Sequence, residues 1–92
     1  KHAVLGMTKC VALENANRGI RVNAVCPGLV MTDLVESGFA GAEDKLAMLT
    51  ARIPMQRTGT PDEIAKAVLW LGSDEASFIT GVAVPVDGAT SV

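Results

Sequence analysis

Tyrosine is absent from the 92 residues, and histidine occurs once, so any chemistry run by a phenol needs a residue from outside this chain. A basic excess is missing too. Eight Lys and Arg stand against ten Asp and Glu, a formal charge of −2, which offers no electrostatic footprint for nucleic acid or an anionic membrane surface. No apolar run approaches the ~18 residues needed to cross a bilayer, and no signal peptide, internal repeat or low-complexity segment is visible. The only cysteines, Cys10 and Cys26, lie among apolar neighbours without CxxC spacing or a nearby His. They are expected to be buried free thiols and not a disulfide or a metal site, which suits a reducing, cytoplasmic setting. The chain opens at Lys1 inside a helical pattern, so it is expected to be the latter part of a longer polypeptide whose targeting signals lie elsewhere.

With 49% hydrophobic residues the chain has material for one domain unit spanning 1–92. Val4, Met7, Cys10, Val11 and Leu13 recur at helical spacing over residues 1–17, and Gly19 follows as a stop. Residues 20–26, Ile-Arg-Val-Asn-Ala-Val-Cys, form a β-branched run of strand length closed by Pro27-Gly28. Residues 29–58 mix turn formers with apolar side chains, and only residues 43–52 read as helical; so long an excursion is expected to be a lid. Thr60-Pro61-Asp62-Glu63 then combines an N-cap, a proline at the first helical position and a glutamate three residues after the cap. The helix it opens carries Ile64, Ala67, Val68 and Leu71 on one face and ends near Gly72, where Ser73 is placed to cap a short second turn. Residues 82–86 read as a strand stopped by Asp87-Gly88, with Pro85 arguing for an edge position. The order helix, strand, lid, helix, strand predicts a parallel crossover, but two strands do not make a stable sheet unaided.

Several strings resemble the short-chain dehydrogenase/reductase family across essentially all 92 residues. Lys1-His2-Ala3-Val4 is similar to the end of its Tyr-x-x-x-Lys motif, starting at the Lys. Arg21 through Gly28 resembles the strand and Pro-Gly turn, and Val30-x-Thr32 the hydrophobic-x-Thr element after it. Arg57-x-Gly59-x-Pro61-x-Glu63-Ile64-Ala65, Phe78-Ile79-Thr80-Gly81 and Val86-Asp87-Gly88 resemble the closing signatures. Ala89 departs from the pattern, since many members carry a second Gly there; the change touches only the C-terminal turn.

The resemblance implies an α/β fold in which this chain is the C-terminal part of a doubly wound, Rossmann-like parallel sheet. It further implies an NAD(P)-dependent oxidoreductase interconverting an alcohol and a ketone or aldehyde. The choice between NAD and NADP would be made upstream. Lys1 would be the lysine that lowers the pKa of a tyrosine proton donor and bonds the nicotinamide ribose; from position alone, an exposed Lys at a helix end is the ordinary reading. Pro27, Gly28, the Val30 backbone and the Thr32 hydroxyl would hold the nicotinamide carboxamide and fix which face is offered. Thr32-Asp33 would serve equally well as a cap for the lid's first turn. Leu34, Val35, Phe39, Met48 and Leu49 would line an apolar substrate pocket or a partner interface.

Other residues read as structural. His2 projects about 100° around the helix from Lys1 and shares no face with it. Asn23, in an apolar strand, calls for hydrogen bonds to adjacent loops. Asp62, Glu63, Asp74 and Glu75 fall in first helical turns, where negative charge complements the dipole. Trp70 reads as packing, and Asp87 as turn chemistry. The implied partners are a small alcohol or carbonyl substrate, the N-terminal part of the same chain, and further copies in a homodimer or homotetramer. A rival reading is a non-catalytic module for assembly or ligand binding, and by itself the 92-residue chain is expected to be inactive.

Overall fold

A computed structural model describes all 92 residues. Helix α1 covers His2–Asn15 and continues into one 3-10 turn, Ala16–Arg18, before Gly19 ends it at a left-handed φ of 74°. Strand β1, Ala24–Pro27, is followed by the lid with its two helices, α2 (Asp33–Gly38) and α3 (Glu43–Ala51). Helix α4, Pro61–Leu71, then leads through a 3-10 turn, Asp74–Ala76, to strand β2, Ala83–Val86. The strands pair in parallel, Ala24 opposite Ala83 and Pro27 opposite Val86, and α4 packs against both.

Three expectations need correction. The first strand begins at Ala24, not Ile20, because side chains take over the bonds that a ladder would make in residues 20–23. The Val22 N–H donates to Thr80 Oγ1 (3.1 Å), Asn23 Nδ2 donates to the Ile79 carbonyl (3.0 Å), and Asn23 Oδ1 accepts from the Val82 N–H (3.2 Å). The lid holds two helices instead of one: Thr32 accepts from the Val35 N–H and launches α2, with Asp33 and Glu36 in its first turn. Ser73 does not cap the turn after it; its hydroxyl donates back to the Trp70 carbonyl at 2.7 Å.

The thiols also differ from expectation. Cys10 is exposed and Cys26 half-buried, because the α1 face that carries Val4, Met7 and Cys10 has nothing packed over it. Only five residues are buried: Thr8, Ala12, Ile53, Leu71 and Ala76. Leu13, Leu34, Leu69 and Phe78 all stand more than two-thirds exposed. The apolar surface that ordinarily drives folding is thus mostly unspent within these residues.

The ladder gives the two sheet edges different characters. Ala24 and Gly28 donate to Val82 and Val86, so alternate residues of β1 face β2 while Val25 turns its amide groups to the opposite edge. By the same alternation the ring nitrogen of Pro85 points away from β1. The outer edge of β2 therefore lacks a donor and resists a further strand. The outer edge of β1 presents both groups of Val25 and lacks a donor only at its last residue, Pro27.

Candidate functional site

Just beyond the C-terminal end of β1, the turn from Pro27 to Thr32 gathers four of the residues singled out from the sequence. Gly28 donates its N–H to the Val86 carbonyl at 3.1 Å. A Cβ at Gly28 would stand 2.6 Å from Asp87 Cβ and 2.9 Å from its Cα, so the turn tolerates only glycine there. Val30 and Gly59 form a parallel bridge, in which the Gly59 N–H donates to the Leu29 carbonyl and the Met31 N–H to the Gly59 carbonyl, both at 2.9 Å. That geometry aims Val30's own N–H away from Gly59, and it has no acceptor within the chain. The Val30 carbonyl accepts from the Thr32 N–H at 3.0 Å.

Thr32 caps α2: its Oγ1 accepts from the Val35 N–H at 3.2 Å. A hydroxyl that accepts still has its proton to donate. The turn therefore presents an unpaired backbone N–H and a free O–H two residues apart. Both lie beyond the carboxyl end of a parallel strand, where open α/β sheets bind ligands.

Lys1 lies outside this cluster. It precedes α1, its carbonyl accepting from the Leu5 N–H at 3.1 Å, and its exposed ammonium takes no part in the two ion pairs, Arg57–Glu63 and Lys66–Asp62. His2 is exposed beside it. Of the lid residues, Leu34 and Met48 are mostly exposed, Leu49 is at the margin, and Val35 and Phe39 are half-buried. None of the five borders the cleft of about 430 Å3 that opens between the lid's C-terminal stretch, the start of α4 and the chain end. Of the turn residues only Leu29 reaches that cleft, beside Ile53, Met55 and Ile64. Cleft and donor pair are two separate features. No group of three His, Cys, Asp or Glu side chains converges as metal ligands would.

The residues that hold this region in shape were partly missed. Arg57 meets Glu63 through two bonds of 2.9 Å each. Glu63 also closes the capping box, accepting from the Thr60 N–H at 3.0 Å. The Arg57 side chain, then the Thr60 backbone, pull the Glu63 carboxyl from 4.5 down to about 2. The spacing Arg57-x-Gly59-x-Pro61-x-Glu63 was visible, but nothing local shows that a lid residue will fold back on the helix start. Asp87 accepts from the Ala89 N–H at 3.0 Å and the Ser91 N–H at 3.2 Å. Ser91's side chain, then the Ala89, Ser91 and Thr90 backbone, hold its carboxyl below the ordinary value against a lesser desolvation. Arg21 carries no sequence signal for its role: its guanidinium donates to the carbonyls of Leu71 (2.7 Å), Ser73 (3.0 Å) and Ile79 (3.2 Å).

Comparison with known proteins shows what the chain as a whole is similar to. The family model described as Enoyl-(Acyl carrier protein) reductase matches residues 1–91. Short-chain dehydrogenase fogB of Aspergillus ruber is 45% identical over all 92 residues, which correspond to 34% of its length. An A-factor type gamma-butyrolactone 1'-reductase (1S-forming) of Streptomyces virginiae is 46% identical over the whole chain and 36% of its own. The crystal structure of a putative 2-deoxy-d-gluconate 3-dehydrogenase from Agrobacterium tumefaciens with bound NADP superposes with a TM-score of 0.89 at 36% identity. That superposition covers 98% of this chain and 36% of the other. The chain thus spans about a third of the length of the curated relatives it matches.

Proposed function

Because the chain belongs to the short-chain dehydrogenase/reductase family, we propose that its 92 residues form the C-terminal part of an NAD(P)-dependent oxidoreductase that interconverts an alcohol and a ketone or aldehyde. The observation that carries this reading is the pairing of the unpaired Val30 N–H with the free Thr32 hydroxyl at the end of β1. An amide-bearing ring fits that pair, since its carbonyl accepts from one donor while the other secures its orientation. The nicotinamide, when bound, supplies or accepts the hydride.

This chain's residues hold and orient. The Val30 N–H and Thr32 O–H fix the carboxamide, and the rigid Pro27-Gly28 backbone leaves room for a flat ring to approach. Thr32 keeps its capping bond while donating, so the two roles open in the sequence coexist. Lys1 holds positive charge near the reacting oxygen, favouring the ionised form of a tyrosine contributed by the N-terminal part. That part adds a strand to the open edge of β1, where Val25 offers its amide groups. Leu34, Val35, Phe39, Met48 and Leu49 close over an apolar substrate. Copies associate as a dimer or tetramer through the apolar faces left uncovered on α1, α4 and β2, and the two free thiols suit a cytoplasmic setting. The chain by itself is inactive, as it holds no tyrosine.

The test is steady-state kinetics of the polypeptide that joins this segment to its N-terminal part. Lys1→Ala lowers turnover by about 10²–10⁴-fold, the range of an acid–base contribution, with an unchanged melting temperature. Thr32→Ala weakens cofactor affinity or rate, whereas Thr32→Ser retains both. Near-normal turnover in Lys1→Ala would remove the catalytic assignment, and unchanged cofactor dependence in Thr32→Ala would leave that residue a cap alone.

A further inference from the structure

We propose that the Asp87-Gly88 turn is a positioning element that couples the Pro27-Gly28 turn to the base of the lid, so that cofactor occupancy at one is transmitted to the other. The inference rests on the cofactor reading given above. Its basis is a stack of three segments, of which the first two meet at the Asp87 Cα and Cβ, and the second and third through a backbone hydrogen bond and the Ile53 and Met55 side chains. On one side, Asp87 Cα stands 2.9 Å from the position of a Gly28 Cβ, and the Gly28 N–H is bonded to Val86 at 3.1 Å. On the other, a Cβ at Gly88 would meet Ile53 Cγ2 at 2.8 Å and Met55 Cβ at 3.3 Å. The Met55 N–H donates to the Gly88 carbonyl at 3.3 Å. Displacing the first layer therefore presses on the third, because closely packed atoms joined by the Met55–Gly88 bond leave little slack to absorb a shift.

The middle layer moves as a unit. Both Asp87 carboxylate oxygens accept backbone N–H groups of its own turn, and the Thr90 hydroxyl donates to the Asp87 carbonyl at 2.7 Å. The third layer is well anchored to the lid arm. Ile53 is the lid's one buried residue, at 4% exposure, and sits two residues past α3. Beyond it Gln56, at a left-handed φ of 59°, donates from Nε2 to the carbonyls of Ala51 and Ile53, both at 2.9 Å. A movement of Ile53 is thereby handed to the end of α3. The Val30–Gly59 bridge joins the same regions by a second route, so the decisive variants change residue 88 or 87 and leave that bridge alone.

Amide hydrogen exchange on the polypeptide containing both parts, with and without NADP+ and separately NAD+, tests the coupling. In the wild type the cofactor slows exchange in residues 27–32 and in residues 43–57, each by about tenfold, a typical coupling factor. Gly88→Ala is expected to keep the response in 27–32 and reduce that in 43–57 to less than about twofold. Adding Ile53→Ala, which removes the methyl that the new Cβ meets, restores part of it. The milder Asp87→Asn, which keeps one acceptor oxygen, gives an intermediate response and serves if Gly88→Ala fails to fold. In kinetics, KM for the carbonyl substrate rises while kcat and cofactor affinity stay put. A wild-type response in 43–57 for both Gly88→Ala and Asp87→Asn overturns the coupling, as does equal loss in the two regions. If neither cofactor slows exchange in residues 27–32 of the wild type, the cofactor reading itself fails, and the coupling with it.

Discussion

The frame of β1, α4 and β2 and the arm of the lid are built on opposite principles. In the frame, polar side chains reach backbone far away in sequence: Arg21 to Leu71, 50 residues on, and Asn23 to Val82, 59 residues on. In the lid arm they stay local, with Thr32 capping Val35 and Thr50 bonding the Leu46 carbonyl four residues back. Long-range polar ties fix a geometry that local propensity does not specify, whereas local ties make helices and leave their placement to packing. The frame is where positions must be held to fractions of an ångström. The lid arm, with Leu34 and Met48 open to solvent, is free to adjust to what it covers.

The largest effect that would test this contrast is at Arg21. Arg21→Met leaves three carbonyls without their charged donor and is expected to cost about 3 kcal/mol, since the three bonds are part-buried and removing the donor leaves each acceptor short of a partner. Denaturant unfolding of the polypeptide containing both parts measures it, and a loss no greater than that of an ordinary surface change would dissolve the distinction. Next is the junction between the two regions, Arg57–Glu63. The Glu63 carboxyl, depressed to about 2, contributes stability that is present above its ordinary 4.5 and is lost as pH falls through about 2. Thermal melts between pH 5 and 2 should therefore show a steeper decline for the wild type than for Glu63→Gln. Added salt narrows the gap, because the pair is exposed.

A gain is expected at Ala89. Its φ is 75°, a conformation that costs a residue with a Cβ about 1 kcal/mol, so Ala89→Gly should stabilise by a similar amount in the same melts. The smallest effect belongs to the arm. Leu34→Ser is expected to change unfolding free energy by less than about 0.5 kcal/mol, as surface substitutions do, while raising KM for an apolar carbonyl substrate. A large stability loss there would show that the arm is packed as tightly as the frame.

Much of the element order was legible because its signals are local. Thr60, Pro61 and Glu63 announce a helix start by the chemistry of orphan N–H groups, and both bonds of the box are present. Gly19 and Gly88 stop their elements at positive φ. Where the reading erred, the cause was non-local or subtle. β1 lost residues 20–23 to bonds from Asn23 and Thr80 that no window of sequence contains. α2 escaped notice because a helix of six residues is too short for periodicity to register. Cys10 was expected to be buried from its apolar neighbours, but whether a helix face is covered depends on what packs over it. Ala89 was read as a change confined to the C-terminal turn, and its left-handed φ adds the backbone requirement there that the second glycine of the resembled pattern answers.

The turn from Pro27 to Thr32 was found from resemblance, and the residues alone left Thr32 open between two roles. By itself the sequence determined the starts and stops of the longer helices, the approximate places of the two strands, the lack of tyrosine and the family, because these rest on residue chemistry and short spacings. Tertiary structure alone decided that the Val30 N–H is left unpaired by the Gly59 bridge, that Arg21 gathers three distant carbonyls, and that Gly28, Asp87, Gly88 and Ile53 stack in layers. Each depends on which way a group points once segments 30 to 60 residues apart have met, and that direction is settled only when the chain closes on itself.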